Sequence, residues 1–161
     1  MSTPPARDWT DEQLRVLFPA LAVETPNPVR CSAAGGGQGA YLNYGTNARR
    51  GCARIEIAVE PAERLTVRFE HEWPSEREPA KCEEFDARIL AGLCDALARG
   101  GAAADFGRIV TRSVVDYGVE STPVAFAIAA AMAIQDSIRR GGWDPEPPTK
   151  DTIATFGRVA G

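Results

Sequence analysis

The stretch that decides the fold is GRIVTRSVVDYGVESTPVAFAIAAAMAIQDSIRR, residues Gly107 to Arg140. Its first part, Ile109 to Val115, is rich in β-branched residues, which suit an extended chain, and it predicts a strand. Its second part, from Val124 to Ile134, is apolar on nearly every side of a helical wheel. This pattern predicts a helix that is buried on more than one face, so other elements must cover it.

Capping residues mark both ends of this helix. Ser121 or Thr122 can accept hydrogen bonds from the free N–H groups of the first turn. Pro123 is tolerated there because its missing N–H would have no partner. Arg139 and Arg140 suit the negative end of the helix dipole, and a glycine pair follows them. We therefore expect a strand, a short loop and a buried helix in this order.

Two more strands and a second helix are predicted upstream. Between Cys52 and Glu60, and again between Leu65 and Phe69, apolar residues alternate with polar ones, so the two runs predict an antiparallel hairpin with one face on the core. From Cys82 to Gly100 apolar residues recur every four positions, which predicts an amphipathic helix. We expect the acidic residues near its start, Asp86 among them, to favour its positive end rather than to be catalytic.

Together these elements predict an α+β domain, with an antiparallel or mixed four-stranded sheet and two main helices packed on one face. The length of 161 residues suits one domain with a real core. We expect residues 1–20 to form an N-terminal tail and a short helix, capped by Thr10 with Gln13. Residues 21–142 are predicted to form the domain, and residues 143–161 a Pro-rich C-terminal tail.

The segment from Ala33 to Gly51, AAGGGQGAYLNYGTNARRG, is the Gly-rich part of the interior. A P-loop would need a following Lys-Ser or Lys-Thr, and a dinucleotide fingerprint would need a strand-to-helix setting, and the segment has neither. We expect a hairpin tip or mobile loop, with a ligand-contacting loop as the alternative. Before it, residues 21–32 contain prolines and predict an edge strand or an arm.

Composition argues against several classes of function. The formal net charge is −4 and the pI is about 5.1, so any contact with nucleic acid or an anionic membrane would need a local basic patch. The apolar run of the last helix is shorter than the ~20 residues that span a bilayer. The N-terminus lacks the pattern of a signal peptide, so we expect a cytoplasmic protein without a membrane partner.

Few residues could bind a metal or transfer protons. The cysteines Cys31, Cys52, Cys82 and Cys94 form no CxxC pair, so we expect free thiols rather than zinc ligands or disulfides. The single histidine, His71, lies at the end of a predicted strand between two glutamates. With no nucleophile in view, we interpret it as a solvated residue rather than a base. We predict no catalytic residue, no metal and no cofactor.

The order of hairpin, helix, strand, short loop and apolar helix resembles domain IV of the translocation GTPases, elongation factor G and its relatives. Three blocks carry the resemblance. The helix residues Glu84, Phe85, Ile89, Gly92, Leu93, Leu97 and Gly100 resemble the family pattern E-Y-x-x-x-V-x-x-G-I-x-x-x-L-x-x-G. The run Val119 to Ala129, VESTPVAFAIA, resembles V-D-S-S-E-x-A-F-K-x-A, and Arg54 to Pro61 is similar to the strand after the family's Gly-rich tip.

The resemblance covers roughly residues 30–140 and implies the ribosomal protein S5 domain 2-like fold with a left-handed βαβ crossover. It also implies two tip loops that reach the decoding site of the ribosome. Gly35 to Gly39 resembles the first loop in composition, whereas the register without gaps puts Asn47 to Gly51 there. The second loop is shortened to Asp116 to Gly118 and lacks the family's histidine, and the family's helix lysine is Ala127 here.

No GTP-binding motif occurs in the sequence, so the resemblance implies a non-enzymatic, stand-alone domain that binds the ribosome or structured RNA. The candidate contacts are Gly36, Gly37, Gln38, Arg49, Arg50 and Tyr117. The alternative is a protein–protein interaction module that kept the fold without binding RNA, for example as a homodimer. A small enzyme is a third alternative, but the sequence lacks a phosphate loop and an acid–base cluster.

Overall fold

A computed structural model describes residues 7–22, 35–60, 62–100 and 107–140. The strands are β1 (Arg7–Trp9), β2 (Gly35–Asn43), β3 (Gly51–Glu60), β4 (Thr66–Phe69) and β5 (Arg108–Val115). The α-helices are α1 (Asp11–Leu17), α2 (Pro79–Gly100) and α3 (Pro123–Arg140), and the 3₁₀ turns are Pro19–Ala22 and Gly118–Glu120. The sheet order is β1-β4-β5-β3-β2, and only β4 and β5 run parallel.

The predicted α+β fold is confirmed, with five strands rather than four. The additional strand comes from the segment predicted to be a tail. Trp9 pairs with Val67, and its ring lies 4.7 Å from the ring of Phe69. Leu14 of α1 is fully buried. The N-terminal segment therefore belongs to the domain, because its apolar side chains cover one end of the core.

Several predictions on the chain's organisation fall outside the described residues. The Pro-rich tail at 143–161 lies there, as do residues 23–32 of the predicted edge strand or arm. The first residues of that arm belong instead to the 3₁₀ turn Pro19–Ala22. A parallel crossover from β4 through α2 to β5 is present, and its left hand stays a prediction.

The predicted hairpin between β3 and β4 is wrong, because β5 lies between them. β3 pairs instead with β2 in a hairpin that runs from Gly35 opposite Val59 to Asn43 opposite Gly51. Alternating burial shows which face of a strand is covered, but it carries no information on the neighbouring strand. The hairpin partner of β3 therefore lies in the Gly-rich segment, and its other neighbour is β5.

From Gly35 to Asn43 the Gly-rich segment forms a regular strand, not a loop. A Cβ atom on Gly39 would lie 1.8 Å from the carbonyl oxygen of Ala129, and one on Gly37 would lie 2.2 Å from that of Ala133. Only glycine lets β2 lie this close to the backbone of α3. Gly37 and Gly39 therefore let β2 pack on α3, whereas a Cβ atom on Gly36 would lie 2.4 Å from the carbonyl oxygen of Ile57 in β3. The prediction of a flexible loop over Gly36, Gly37 and Gln38 is wrong.

Helices α3 and α1 begin with the expected caps. The Thr122 hydroxyl accepts a hydrogen bond from the N–H of Ala125 at 3.3 Å, so Thr122 caps α3 and Pro123 is its first residue. Thr10 and Gln13 form the predicted capping box of α1. α2 begins at Pro79, three residues before the predicted start at Cys82. Among the described helices, none is both long and apolar enough to cross a bilayer.

Candidate functional site

Two loops meet at one end of the sheet, which we call the tip. It consists of residues 44–50, between β2 and β3, and residues 116–122, between β5 and α3. Nη2 of Arg50 lies 3.3 Å from both carboxylate oxygens of Glu120. The Thr122 hydroxyl donates to the carbonyl of Arg50 at 3.0 Å, and the Ser121 hydroxyl donates to that of Cys52 at 3.0 Å. These contacts make the two loops one continuous surface.

The β2–β3 turn is ordered by its own polar side chains. The Asn43 amide donates to Asn47 Oδ1 at 3.1 Å and to the carbonyl of Arg49 at 3.2 Å. Asn43 Oδ1 accepts from the N–H of Gly45, and the Tyr41 hydroxyl donates to the carbonyl of Arg49 at 2.9 Å. The exposed side chain of Arg49 makes no ion pair with any residue that the structure describes. The turn thus presents an unpaired cation.

The second loop is fixed by an ion pair. Arg77 holds Asp116 with two nitrogens, one of them at 2.6 Å, and also donates to the carbonyl of Gly118 at 2.9 Å. Hydrogen bonding to Asp116 raises the pKa of Arg77. Gly118 adopts φ +67°, a backbone conformation that side chains other than glycine's rarely permit. The N–H of Tyr117 donates to the Ser121 hydroxyl at 2.7 Å, and the loop is therefore tightly constrained.

A shallow cleft of about 230 Å³ lies beside this loop. Its lining includes Arg77, Asp116 and the neighbouring Pro74 and Glu76. Arg77 and Asp116 already form an ion pair with each other, so neither charge in the cleft is available to a ligand. We therefore regard the surface of the tip, not this cleft, as the candidate site.

Apolar side chains are also exposed around the tip. Val119 is 95% exposed and Tyr44 66%, and Leu42 and Val115 are exposed on the last residues of their strands. The pKa of Tyr44 is raised, chiefly by its hydrogen bond to Cys52. The tip thus combines an exposed aromatic ring, apolar side chains and arginines, a mixture found at both RNA and protein interfaces.

The structure brings together only some of the predicted contact residues. Arg49, Arg50 and Tyr117 lie at the tip, and residues 47–50 belong to its turn. Gln38 precedes Asn43 by five residues of strand, a distance of about 17 Å. Its N–H is held by Asp136 at 2.9 Å, away from the tip. Gly36, Gly37 and Gln38 therefore do not share a surface with the arginines.

The interpretation of His71 as a solvated residue is wrong. His71 is 1% exposed. Its Nδ1 lies 2.6 Å from the Thr111 hydroxyl, and its Nε2 lies 2.7 Å from Oδ1 of Asp86, which also accepts from Trp73 at 2.9 Å. Arg7 pairs with the second oxygen of Asp86 and donates to the carbonyl of His71. Asp86 therefore serves this buried cluster rather than the helix dipole.

One signal in the sequence could have located this histidine. The inward alternation of Leu65, Val67 and Phe69 continues without a break through His71 and Trp73. These side chains point to the same side, and the ring of His71 lies 4.8 Å from that of Phe69 and 5.3 Å from that of Trp73. Extending the period-2 pattern of this strand from Phe69 by two residues would have predicted that His71 is buried.

The hydrogen bonds of the cluster fit a neutral imidazole. With its proton on Nε2, His71 donates to Asp86 and accepts from the Thr111 hydroxyl, which itself accepts from the N–H of Glu70 at 3.2 Å. Burial lowers the pKa of His71, against the opposing effect of Asp86. Burial alone would raise the pKa of Asp86, but hydrogen bonds from His71 and Trp73 bring it below its ordinary value.

A hydroxyl, an imidazole and a carboxylate in sequence are also the groups of nucleophilic catalysis. Here, however, Thr111 is 0% exposed, so no substrate atom reaches its oxygen. The cluster instead joins β1, β5 and α2 through their side chains. Within the described ranges, no three His, Cys, Asp or Glu side chains converge as metal ligands would.

Comparison with known proteins adds information on the fold. No family model matches the sequence, and no curated protein matches it. A crystal structure of a protein from Thermus thermophilus is similar, with a TM-score of 0.51 and 23% sequence identity. The match covers 68% of this chain and 16% of that protein, so the chain corresponds to a small part of its length. A likeness at this identity shows a common fold.

Proposed function

We propose that this chain is a non-enzymatic domain related to domain IV of elongation factor G, and that it binds the ribosome or structured RNA through the tip. One observation carries the proposal. The turn that contains Arg49 and Arg50 lies beside the loop that contains Tyr117 at one end of the sheet, where the Arg50–Glu120 ion pair joins them. Both segments are among those that resemble the family's tip loops in sequence.

The charges at the tip suit contact with a phosphate backbone. The side chain of Arg49 is exposed and has no carboxylate partner among the described residues. Arg50 is paired only at the surface, where an ion pair contributes about 0–1 kcal/mol and a phosphate can displace it. Arginine binds phosphate through two parallel hydrogen bonds, and the exposed ring of Tyr44 can stack on an unpaired base.

The open face of the sheet is less suited to RNA, because most of its described arginines pair with carboxylates, and Arg54, which does not, donates to the amide oxygen of Gln38 at 3.2 Å. Arg68 pairs with Asp8 at 2.9 Å. Arg112 lies 3.2 Å from Glu60 and 2.8 Å from Glu70. On this face a polyanion would have to break several ion pairs at once. At the tip, a phosphate can bind Arg49 without breaking an ion pair among the described residues. The tip is therefore the favoured contact region.

Sedimentation of the purified protein with ribosomes across a salt series tests the proposal. Binding should weaken steeply as salt rises, because phosphate contacts release counterions. Reversing both tip charges, Arg49→Glu with Arg50→Glu, should abolish co-sedimentation. The matched control reverses the exposed Arg64 and Arg139 at the opposite end of the domain, which should have little effect. Equal loss in both double variants, or no binding by the unmodified chain at low salt, would refute the proposal.

The exposed apolar side chains favour a protein partner as the second candidate. Val119 is 95% exposed, and Leu42 lies at the same end of the sheet. A homodimer through this surface would appear in sedimentation velocity as a concentration-dependent dimer that Val119→Asp dissociates. A monomer at all concentrations would exclude the homodimer.

A further inference from the structure

We infer that Glu120 is a built-in competitor for phosphate at Arg50, and that it makes the tip selective for RNA that presents adjacent phosphates over isolated anions. The inference rests on the proposed binding of RNA at the tip. It assigns a role to a residue of opposite charge within the candidate site.

The geometry of the pair supports competition. Nη2 of Arg50 lies 3.3 Å from each of the two oxygens of Glu120, so the carboxylate occupies the place that a phosphate would take. The side chain of Arg50 is 53% exposed and that of Glu120 is 31% exposed, which leaves the pair accessible to a ligand from solvent. The contact can therefore exchange without unfolding any part of the loop.

The backbone holds Glu120 in position. The N–H of Glu120 donates to the carbonyl of Tyr117 at 3.3 Å, within the 3₁₀ turn that Gly118 begins. The next two residues, Ser121 and Thr122, bind carbonyls at the start of β3 and in the turn before it. Glu120 is thus fixed opposite Arg50 by the fold rather than by a chance side-chain contact.

The neighbouring arginine, Arg49, has no such partner among the described residues. A phosphate is therefore expected to reach Arg49 first, and a second phosphate on the same strand then competes with the Glu120 carboxylate for Arg50. The tethered phosphate has a high effective concentration, whereas a free anion must displace Glu120 unaided. The tip should therefore discriminate against free phosphate and favour a continuous backbone.

Glu120→Gln tests the inference, because it removes the charge and keeps the size of the side chain. In the ribosome sedimentation assay it should tighten binding by roughly three- to tenfold and make the slope of log K against log salt steeper by about 0.7 to 0.9. The matched control, Glu60→Gln, removes a glutamate that also pairs with an arginine. It lies at the far end of β3, about 30 Å away, and should leave binding unchanged.

A double-mutant cycle with Arg50→Gln decides how Glu120 acts. If the glutamate competes for Arg50, the gain from Glu120→Gln should largely disappear when Arg50 is absent. An equal gain in both backgrounds would mean general repulsion and would overturn the inference. Unchanged binding by Glu120→Gln would also overturn it, while salt-sensitive binding by the unmodified chain would leave the proposed function standing. No binding by the unmodified chain would overturn both.

Discussion

Nε2 of His71 lies 2.7 Å from Oδ1 of Asp86, and this contact joins the segment after β4 to helix α2 inside the domain. The same carboxylate accepts from Trp73 and pairs with Arg7 of β1. One side chain therefore satisfies three groups from two separate parts of the chain. Because the His71 side chain is buried, solvent cannot replace this acceptor for its ring.

We expect Asp86→Ala to lower the free energy of unfolding by about 3 kcal/mol, because it leaves buried donors unpaired beside an arginine. Urea denaturation followed by tryptophan fluorescence measures this. Asp95→Ala on the same helix is the control, since it removes a surface pair with Arg99 at 2.9 Å and should cost less than about 1 kcal/mol. Similar losses in the two variants would show that the cluster does not support the fold.

Stability should fall as the pH drops below the ordinary histidine range. Burial lowers the pKa of His71 from 6.5 in the folded chain. The unfolded chain therefore takes up a proton near pH 6.5 that the folded chain accepts only at lower pH. The stabilising contribution is complete above pH 6.5 and is lost as the pH falls from 6.5 through the folded-state pKa.

His71 is the only histidine in the chain, so its titration can be followed directly. The chemical shift of its ring proton against pH, measured by NMR, should give a midpoint below 6.5. Urea midpoints between about pH 5 and 7 should fall with pH in step with that titration. A ring-proton midpoint at or above 6.5 would contradict burial as the dominant influence.

The elements that carry most of the fold could be predicted from local patterns. Alternation predicts β3 and β4, β-branched residues predict β5, and the helical period predicts α2 and α3. Thr122 with Pro123 marks the start of α3. Each of these signals depends on neighbours within a few residues. Such local patterns do not show which strands pair with each other. Glycine at positions 37 and 39 indicates flexibility in a sequence, whereas here it permits contact with a helix about ninety residues further on.

At the candidate site, too, local patterns identify some residues but not their partners in the fold. The sequence offers both Gly35 to Gly39 and Asn47 to Gly51 as the first tip loop, and of these two described segments the structure forms a turn only in the second, within residues 44–50. Glu120, whose carboxylate pairs with Arg50, lies 70 residues further along the chain. Similarly, the hydrogen-bond partners of His71 are Asp86 and Thr111, which are 15 and 40 residues away. Local sequence shows which residues are present at a site, but only the tertiary fold shows which charges are paired.

The described cysteines should differ in their reactivity. Burial raises the pKa of Cys94 to about 12, so almost no reactive thiolate forms at neutral pH. Cys52 is also buried, whereas Cys82 is only half-buried. In the native protein we expect iodoacetamide to modify Cys82 well before Cys94 or Cys52, and all three to react in urea. Peptide mass mapping also resolves Cys31, which lies outside the described residues. Native labelling of Cys94 at the rate of Cys82 would contradict the packing around α2.

Substitutions at two glycines test two separate requirements, close packing at Gly39 and a positive φ at Gly118. Gly39→Ala should destabilise the fold by more than about 3 kcal/mol, or prevent folding, because its Cβ would lie 1.8 Å from a backbone oxygen of α3. Gly118→Ala should cost only about 1–2 kcal/mol, since no atom lies within 4 Å of its Cβ and the strain comes from φ +67°. Asn at position 118, which tolerates this conformation better, should recover part of that loss. Urea midpoints measure all three, and a mild effect of Gly39→Ala would show that β2 does not pack directly on α3.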